Sequence, residues 1–207
     1  MTHPMPPDRA GRSAHDDLVA RFETRLRGTR AAIDAVEQAL PDVAAIADLL
    51  RSVFDAGGLL ATAGNGGSAA EALHLAEELI GRYRADRPPR RAVCLNADPT
   101  ALTCIANDYG FEHIFSRQCE ALLRPDDALV VLSTSGRSPN LVRAAEAAQR
   151  IGARVVGLLG RDGGPCRVQC DRAVVIPLED SAHIQEAHQV VMHLWCEALE
   201  PDSGGSP

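Results

Sequence analysis

Short apolar segments alternate with segments of helical periodicity over most of this chain of 207 residues, and this alternation constrains the fold more than any other feature. Apolar runs bounded by glycine, proline or polar residues predict five strands, near residues 59–63, 92–96, 128–132, 154–159 and 173–176. A last helix is predicted over about residues 182–199. Strands that alternate with helices form a parallel sheet covered on both faces. The pattern therefore predicts an α/β fold, a three-layer αβα sandwich around a parallel sheet of about five strands.

Two helices precede the first strand in the predicted order. Apolar residues recur at helical spacing from residue 16 to about residue 40, and Pro41 suits the first turn of a second helix that reaches residue 55. Residues 1–13 and 201–207 are polar and rich in proline and glycine, so we expect them to be disordered tails. The remainder, residues 14–200, has the length of one domain with a well-buried core.

Composition argues against several classes of function. The formal net charge of −7 disfavours a nucleic-acid-binding surface, because such surfaces need clustered lysine and arginine. No apolar run approaches the roughly 20 residues of a membrane span, and the first residues lack the apolar core of a signal peptide. We therefore expect a cytoplasmic protein with no nucleic-acid or membrane partner. The six cysteines are expected to be free thiols, since a domain of this size needs no disulfide framework.

A glycine loop, GNGGS at residues 64–68, follows the first predicted strand and leads directly into a helix. It has neither the lysine of a Walker loop nor the spacing of a dinucleotide-binding fingerprint. Glycines nevertheless let a ligand approach the backbone, and Ser68 suits a helix cap whose hydroxyl group also favours an anion. The loop alone leaves two interpretations open: an anion-binding cradle, or a tight strand-to-helix turn with Ser68 as an ordinary cap.

A second polar loop follows the third predicted strand and carries four hydroxyl groups within six residues, those of Ser133, Thr134, Ser135 and Ser138. Hydroxyl groups and backbone amides near a helix N-terminus bind phosphate without basic side chains. A turn that happens to be rich in serine and threonine is the other interpretation. Because ligands gather at the carboxyl ends of parallel strands, both polar loops are expected on the ligand-binding side of the sheet.

His74 and Glu78 lie four residues apart on the helix after the glycine loop, so their side chains share one face. The pair is typical of half a metal site or of an acid–base pair, although such residues on a helix are also often merely solvated. On the last helix, Gln185 and His193 lie eight residues apart, about two turns, among apolar neighbours. Two rival histidines stand on the same helix, His183 and His188.

These residues fall in longer motifs that resemble the sedoheptulose 7-phosphate isomerases, also called phosphoheptose isomerases, of the sugar-isomerase (SIS) domain class. The resemblance covers about residues 20–199, with GNGGS at 64–68, HLAEELIGRY at 74–83, ANDYGFEHIFSRQ at 106–118, STSGRSPN at 133–140 and IQEAHQVVMH at 184–193. It implies a flavodoxin-like SIS fold. It also implies an aldose–ketose isomerase that converts D-sedoheptulose 7-phosphate to D-glycero-D-manno-heptose 7-phosphate through an enediol, the first step of activated-heptose biosynthesis.

The resemblance further implies a homotetramer with one zinc ion per subunit. The residues at the positions of zinc ligands are His74, Glu78, Gln185 and His193. Glu78 is then the expected catalytic base and His193 the expected catalytic acid. The residues at substrate-binding positions are Asn65, Gly66, Gly67, Ser68, Glu78, Arg82, Asn107, Asp108, Ser133, Thr134, Ser135, Ser138 and Gln185. Arg82 is expected to add positive charge to the site of a neighbouring subunit.

Two departures from the family pattern bear on the predicted function. His183 stands where members usually have arginine, and this difference affects substrate contacts at the edge of the site just before the C-terminal motif. Ala69 stands where some members carry a polar residue. Some paralogues lose the acid and the base and serve as binding proteins, including a bacterial regulator that binds the replication initiator. This chain keeps both residues, which favours catalysis. The alternatives are a non-catalytic SIS module that binds a phosphosugar or a protein, and an isomerase for a different ketose phosphate.

Overall fold

The computed structural model describes residues 13–201, and the two predicted tails lie outside the described residues except for Ser13 and Pro201. Ser13 is the N-cap of the first helix. Its hydroxyl group accepts a hydrogen bond from the backbone N–H of Asp16, and the Asp16 carboxylate accepts one from the backbone N–H of Ser13. This reciprocal capping box explains why the helix begins directly after Ser13.

The described chain contains eight α-helices and five strands, in an order close to the predicted one. The helices are α1 (Ala14–Gln38), α2 (Leu40–Asp55), α3 (Gly67–Ile80), α4 (Pro99–Tyr109), α5 (Ser116–Leu122), α6 (Pro139–Ile151), α7 (Gly164–Arg167) and α8 (Ser181–Ala198). The strands are β1 (Leu60–Gly64), β2 (Ala92–Cys94), β3 (Ala128–Ser133), β4 (Arg154–Gly160) and β5 (Arg172–Ile176). The single turn α7 was not predicted, because its four residues are too few to show a helical period.

All five strands are parallel and lie in the order β2-β1-β3-β4-β5. In the centre of the sheet, Leu60 of β1 pairs with Ala128 of β3, and Gly64 pairs with Leu132. Every residue of β1 and β3 is buried, as expected for strands covered on both faces. This strand order is the flavodoxin-like one. The predicted three-layer sandwich with two N-terminal helices is confirmed.

Two hydrophobic cores lie on opposite faces of the sheet. One is formed with buried residues of α1, α2, α3 and α8, and it includes Trp195, whose indole N–H donates a hydrogen bond to the backbone oxygen of Val43 at 3.1 Å. The other contains buried residues of α5 and α6, with Phe115 and Leu141 fully buried. The helices α3 and α6 therefore cover opposite faces of the sheet.

The divergence of α3 and α6 creates a crevice at the carboxyl edge of the sheet. The helix α3 follows β1 and α6 follows β3, and these two strands are neighbours. In parallel sheets, ligands bind where helices depart in opposite directions from adjacent strands. The glycine loop and the loop of residues 133–138, called here the hydroxyl loop, border this crevice.

The structure also bears on the thiols and on membrane association. All six cysteines, each of which lies in the described range, are free, as predicted. Among the described residues, no helix combines the length and the apolar character needed to cross a bilayer.

Candidate active site

The glycine loop turns sharply from β1 into α3. Gly66 is the N-cap of α3, and its φ of 59° lies in the left-handed region that favours glycine. The prediction that Ser68 caps the helix is wrong, because α3 begins at Gly67 and Ser68 lies buried within its first turn. No side chain caps α3. The N–H groups of Ser68 and Ala69 donate to the backbone oxygens of Asn65 and Gly66, at 3.1 and 3.0 Å, and among the described residues those of Gly66 and Gly67 have no such acceptor and can face an anion.

The hydroxyl loop is held in place by its own serine side chains. The hydroxyl oxygen of Ser133 accepts a hydrogen bond from the backbone N–H of Gly136 at 2.9 Å, and that of Ser135 accepts one from the N–H of Arg137 at 3.3 Å. Gly136 has a φ of 62°, and a Cβ at this position would overlap the backbone oxygen of Gly163. The loop is therefore a packed turn that only glycine permits at this point.

Side chains of both loops and of α8 line one small cleft. The lining residues are Asn65, Ser68, Leu132, Ser133, Thr134, Ser135, Ser138, Leu141 and Gln185. The structure thus brings together seven of the predicted substrate-binding side chains, and Gly67 lies directly against Gln185. Hydroxyl and amide groups beside the N-termini of α3 and α6 are suited to a phosphate group.

The side chains of Asn65 and Asn140 join the two loops. Each amide group donates one hydrogen bond to the oxygen of the other, and both distances are 2.9 Å. Asn140 is almost completely buried in the first turn of α6. The sequence motif contained Asn140, but nothing local in the sequence indicated a partner 75 residues away.

His74, Glu78 and His193 form a compact group between α3 and α8. One potential ligand atom from each residue lies within 4.8 Å of the other two. Nε2 of His74 lies 3.1 Å from Oε1 of Glu78, the ring of His193 packs edge-on against that of His74, and Tyr83 stacks on His193. The Glu78 side chain is only 16% exposed. Two imidazoles and one carboxylate are a donor set suited to zinc.

A further polar side chain, that of Gln189, contacts both histidines of this group. Its amide nitrogen lies 2.9 Å from Nδ1 of His74 and 3.0 Å from Nε2 of His193. Gln185, one turn earlier on α8, lies instead in the cleft, where a Cβ on Gly67 would overlap its amide nitrogen. The sequence pattern did not single out Gln189, although its place one turn before His193 was a usable signal.

Six predicted substrate-binding residues are not among those that line the cleft: Gly66, Gly67, Glu78, Arg82, Asn107 and Asp108. The two glycines belong to the glycine loop and Glu78 to the histidine–glutamate group, whereas the other three lie elsewhere. Asn107 and Asp108 are exposed on α4, where the Asn107 amide donates a hydrogen bond to the Asp108 carboxylate at 2.7 Å. Arg82 is exposed after α3, and its guanidinium donates to the backbone oxygen of Arg84 at 3.3 Å. Their role in substrate binding stays a prediction.

The two rival histidines of α8 lie outside the histidine–glutamate group. His188 is fully buried, and burial lowers its pKa to about 4. The carboxyl group of Glu71 faces it from α3, and burial raises the pKa of Glu71 to about 7. His183 packs against Gly28 of α1, and its Nδ1 lies 3.1 Å from a carboxylate oxygen of Glu186.

Comparison with known proteins identifies the family of the chain. Residues 26–160 match the SIS domain family. The chain is 47% identical over 158 residues to the phosphoheptose isomerase of Trichlorobacter lovleyi, an alignment that covers 76% of this chain and 81% of that protein. It is 41% identical over 184 residues to the phosphoheptose isomerase of Geotalea daltonii, covering 88% of this chain and 96% of that protein. The chain belongs to the phosphoheptose isomerase family.

Solved structures of phosphoheptose isomerases share the fold over nearly the whole chain. The protein from Neisseria gonorrhoeae is 36% identical and superposes with a TM-score of 0.81, covering 90% of this chain and 98% of its own. The protein from Francisella tularensis is 31% identical with a TM-score of 0.83, covering 91% and 98% respectively. The family resemblance identified from the sequence motifs is confirmed, and with it the assignment of the chain as a phosphosugar isomerase.

Proposed function

We propose that this protein converts D-sedoheptulose 7-phosphate to D-glycero-D-manno-heptose 7-phosphate by aldose–ketose isomerisation through an enediol. The observation that carries the proposal is the placement of two chemically different groups along one helix. The first turn of α3 borders the hydroxyl-lined cleft, while His74 and Glu78 lie two to three turns further along. A phosphate-binding region and an acid–base region can therefore serve one substrate.

The separation of these two regions suits a sugar of seven carbons. His74 follows Gly67 by seven residues, which corresponds to about 10 Å along the helix axis. The side chain of Glu78 leans back toward the N-terminus of α3, as side chains of helices do. An extended heptose spans roughly 10 Å from C1 to a phosphorus at position 7, at standard bond lengths. A phosphate held at the loops thus leaves C1 and C2 beside the histidine–glutamate group.

Glu78 is the proposed base and His193 the proposed acid. The reaction moves a proton between C1 and C2 and needs a second group that handles the proton on the oxygens. Glu78 is largely buried and its carboxylate contacts His74, which limits its freedom of rotation. His193 approaches from α8 and is stacked on Tyr83. Two helices thereby present the base and the acid to the substrate from two sides.

The phosphate group is proposed to bind at the two loops without a basic side chain. The residues that line the cleft include neither lysine nor arginine. The backbone N–H groups of Gly66 and Gly67 and the serine and threonine hydroxyl groups supply the donors. The paired amides of Asn65 and Asn140 hold the two loops at a constant distance. The proposed contacts are Asn65, Gly66, Gly67, Ser68, Ser133, Thr134, Ser135, Ser138 and Gln185.

We propose a zinc site, one per subunit, held by His74, Glu78 and His193. The support is the donor set, in which two imidazoles and a carboxylate converge. Bound zinc would polarise the substrate carbonyl and stabilise developing negative charge. The family resemblance adds Gln185 to the ligands, and in this structure Gln185 lies in the cleft.

A homotetramer is proposed because helices at the surface expose apolar side chains that this chain does not cover. The exposed large apolar residues of α1 are Leu18, Val19, Phe22, Leu26 and Ile33. The helix α4 buries none of its residues within the chain. Apolar faces of this kind are typical of subunit interfaces. In such an assembly, Arg82, Asn107 and Asp108 would reach the site of a neighbouring subunit.

We also propose that the protein acts in the cytoplasm, at the first step of activated-heptose biosynthesis. The family supports this placement, since its substrate is a phosphorylated sugar. The net charge of −7 is consistent with it, because it disfavours binding to nucleic acid or to an anionic membrane surface.

Incubation of the purified protein with sedoheptulose 7-phosphate, with product formation followed by NMR, tests the activity. Glu78→Gln and His193→Gln are each expected to lower kcat by at least about 100-fold. Glu77→Gln makes the same change of charge at the adjacent exposed position of α3 and is the matched control. No conversion by the wild-type protein, with or without zinc, would overturn the proposal in favour of the non-catalytic binding module. The comparisons give that alternative no support.

A further inference from the structure

We propose that a second pocket, at the amino edge of the sheet, binds a small organic phosphate. This pocket has a volume of about 370 Å³. Two of its lining residues place it in the fold, because Gly58 lies just before β1 and Arg91 directly before β2. The glycine loop begins at the other end of β1, and the five residues of that strand separate the two places by roughly 15 Å. The pocket is therefore distinct from the candidate active site.

Positive charge is concentrated in this pocket. Three arginine side chains line it, those of Arg87, Arg90 and Arg91, and no acidic residue of the described chain is among the lining residues. One carboxylate lies close by, that of Glu200, at 3.4 Å from Nε of Arg87. It offsets one of the three charges, so the pocket keeps a positive surplus in a protein whose formal net charge is −7. A surplus of this kind attracts anions.

The same arginines bind backbone oxygens at the ends of three helices. Arg87 donates to two oxygens in the last turn of α3, at 2.8 and 3.1 Å. Arg90 donates to the oxygen of Leu199 after α8, and Arg91 to that of Gly57 after α2, both at 2.5 Å. Contacts of this type stabilise the C-terminal ends of helices. They also fix the guanidinium groups around the pocket, so that the pocket is formed before a ligand binds.

Capping of helices uses only part of the hydrogen-bonding capacity of Arg90 and Arg91. A guanidinium group carries five N–H donors, and each of these two side chains makes a single hydrogen bond to a described residue. Nε of Arg90 is buried and has no hydrogen-bond partner within residues 13–201, which is unfavourable for a donor. Burial and the positive charge of Arg87 lower the pKa of Arg90. An anion in the pocket would offset this repulsion and accept hydrogen bonds from the unused donors.

The apolar part of the lining indicates the rest of the ligand. Phe54, Pro88, Pro89 and Pro201 contribute apolar surface, and the guanidinium group of Arg90 lies over the Phe54 ring, 4.9 Å from its centre. Pockets of this size, with apolar walls and a few polar groups, are typical of small-molecule sites. A phosphate group accepts paired hydrogen bonds from arginine, and as a dianion it neutralises more charge than a carboxylate. The ligand class is therefore a phosphate ester with an apolar body.

Calorimetric titration of the full chain with phenyl phosphate tests the proposal, because this probe joins a phosphate group to an apolar ring. At equal ionic strength, it should bind at least about fivefold more tightly than inorganic phosphate or benzoate. Arg91→Gln is expected to weaken the binding of phenyl phosphate at least about fivefold. Arg91→Lys keeps the charge without the planar fork and should weaken binding less. Circular dichroism checks that each variant is folded.

Two matched variants separate this pocket from other places where the probe could bind. Arg150→Gln removes the same charge from the exposed end of α6, and Ser138→Ala alters the cleft; both should leave the affinity within about twofold. No binding of phenyl phosphate, equal affinity in Arg91→Gln and the wild type, or a loss in Ser138→Ala alone would overturn the proposal. Tighter binding of benzoate would overturn the ligand class. Without the probe, Arg91→Gln should turn over sedoheptulose 7-phosphate like the wild type, so the isomerase proposal is decided separately.

Discussion

The carboxyl group of Glu71 and the imidazole of His188 lie 4.0 Å apart in the interior of the protein, one on α3 and one on α8. Oε2 of Glu71 and both ring nitrogens of His188 are buried without a hydrogen-bond partner among the described residues. Burial acts on the two groups in opposite directions, since it raises the pKa of Glu71 to about 7 and lowers that of His188 to about 4. Between about pH 4 and pH 7 the folded protein therefore favours a protonated Glu71 beside a neutral His188.

Replacing Glu71 or His188 should reveal a pH dependence of the unfolding free energy that partly cancels while both residues are present. Glu71 has a raised pKa, so its contribution to the unfolding free energy is complete below pH 4.5 and is lost as the pH rises through about 7. His188 has a lowered pKa, so its contribution is complete above pH 6.5 and is lost as the pH falls through about 4. Between pH 4.5 and 6.5 the two effects oppose each other.

Urea denaturation between pH 4.5 and 7 measures these contributions as differences from the wild type. The stability of the wild type relative to Glu71→Gln should fall as the pH rises, with a slope of at most about 1.4 kcal/mol per pH unit. Relative to His188→Gln, the stability of the wild type should rise with pH up to about 6.5 and then level off. If both stability differences change with pH in the same direction, or if neither changes with pH, burial does not determine the pKa values of Glu71 and His188.

Removal of Asn140 should weaken both the fold and substrate binding. Asn140→Ala leaves the Asn65 amide without its partner and opens a cavity in the first turn of α6. We expect a loss of about 1–3 kcal/mol in unfolding free energy and a severalfold rise in KM for the sugar phosphate. A double-mutant cycle with Asn65→Ala measures the coupling directly. Additive effects of the two substitutions would contradict a functional link between the loops.

The sequence was sufficient to predict the features that depend on local patterns. Alternating apolar and helical segments predicted the three layers, and the positions of the glycine and hydroxyl loops at strand ends predicted their meeting at one edge of the sheet. The spacing of His74 and Glu78 put both on one face of α3, where the structure has them. These inferences need only the period of a helix and the polarity of parallel strands.

Features that depend on tertiary packing could not be predicted in this way. The rotation of α8 decides that Gln189 faces His74 and that Gln185 faces the cleft, and a sequence pattern of three or four residues does not determine that rotation. The pairing of Asn65 with Asn140 depends on the order of β1 and β3 in the sheet. The cap prediction for Ser68 failed because Gly66 adopts a left-handed conformation and starts the helix earlier.

Substitution of Gly67 should affect substrate binding more than stability. A Cβ at position 67 would overlap the amide nitrogen of Gln185, which is the far end of a flexible side chain and can move. Gly67→Ala is expected to raise KM for sedoheptulose 7-phosphate severalfold, to change the unfolding free energy by less than about 1 kcal/mol, and to leave zinc affinity unchanged. In a Gln185→Ala background the same substitution should have little further effect on KM. An equal rise of KM in both backgrounds would mean that Gly67 acts on the ligand directly.

The effect of Gly28→Ala on stability should change sign when His183 is also replaced, because α1 packs on α8 at these two residues. Gly28 lies within α1, and a Cβ there would overlap the ring of His183, whose side chain is only 14% exposed. Gly28→Ala alone should destabilise the protein, because the ring would be displaced from its contact with Glu186. In a His183→Ala background the clash is absent, and the higher helix propensity of alanine should stabilise the protein by up to about 1 kcal/mol. Thermal and urea denaturation of the wild type, the two single variants and the double variant test this prediction. Destabilisation by Gly28→Ala in both backgrounds would show that a contact other than the one with His183 requires the glycine.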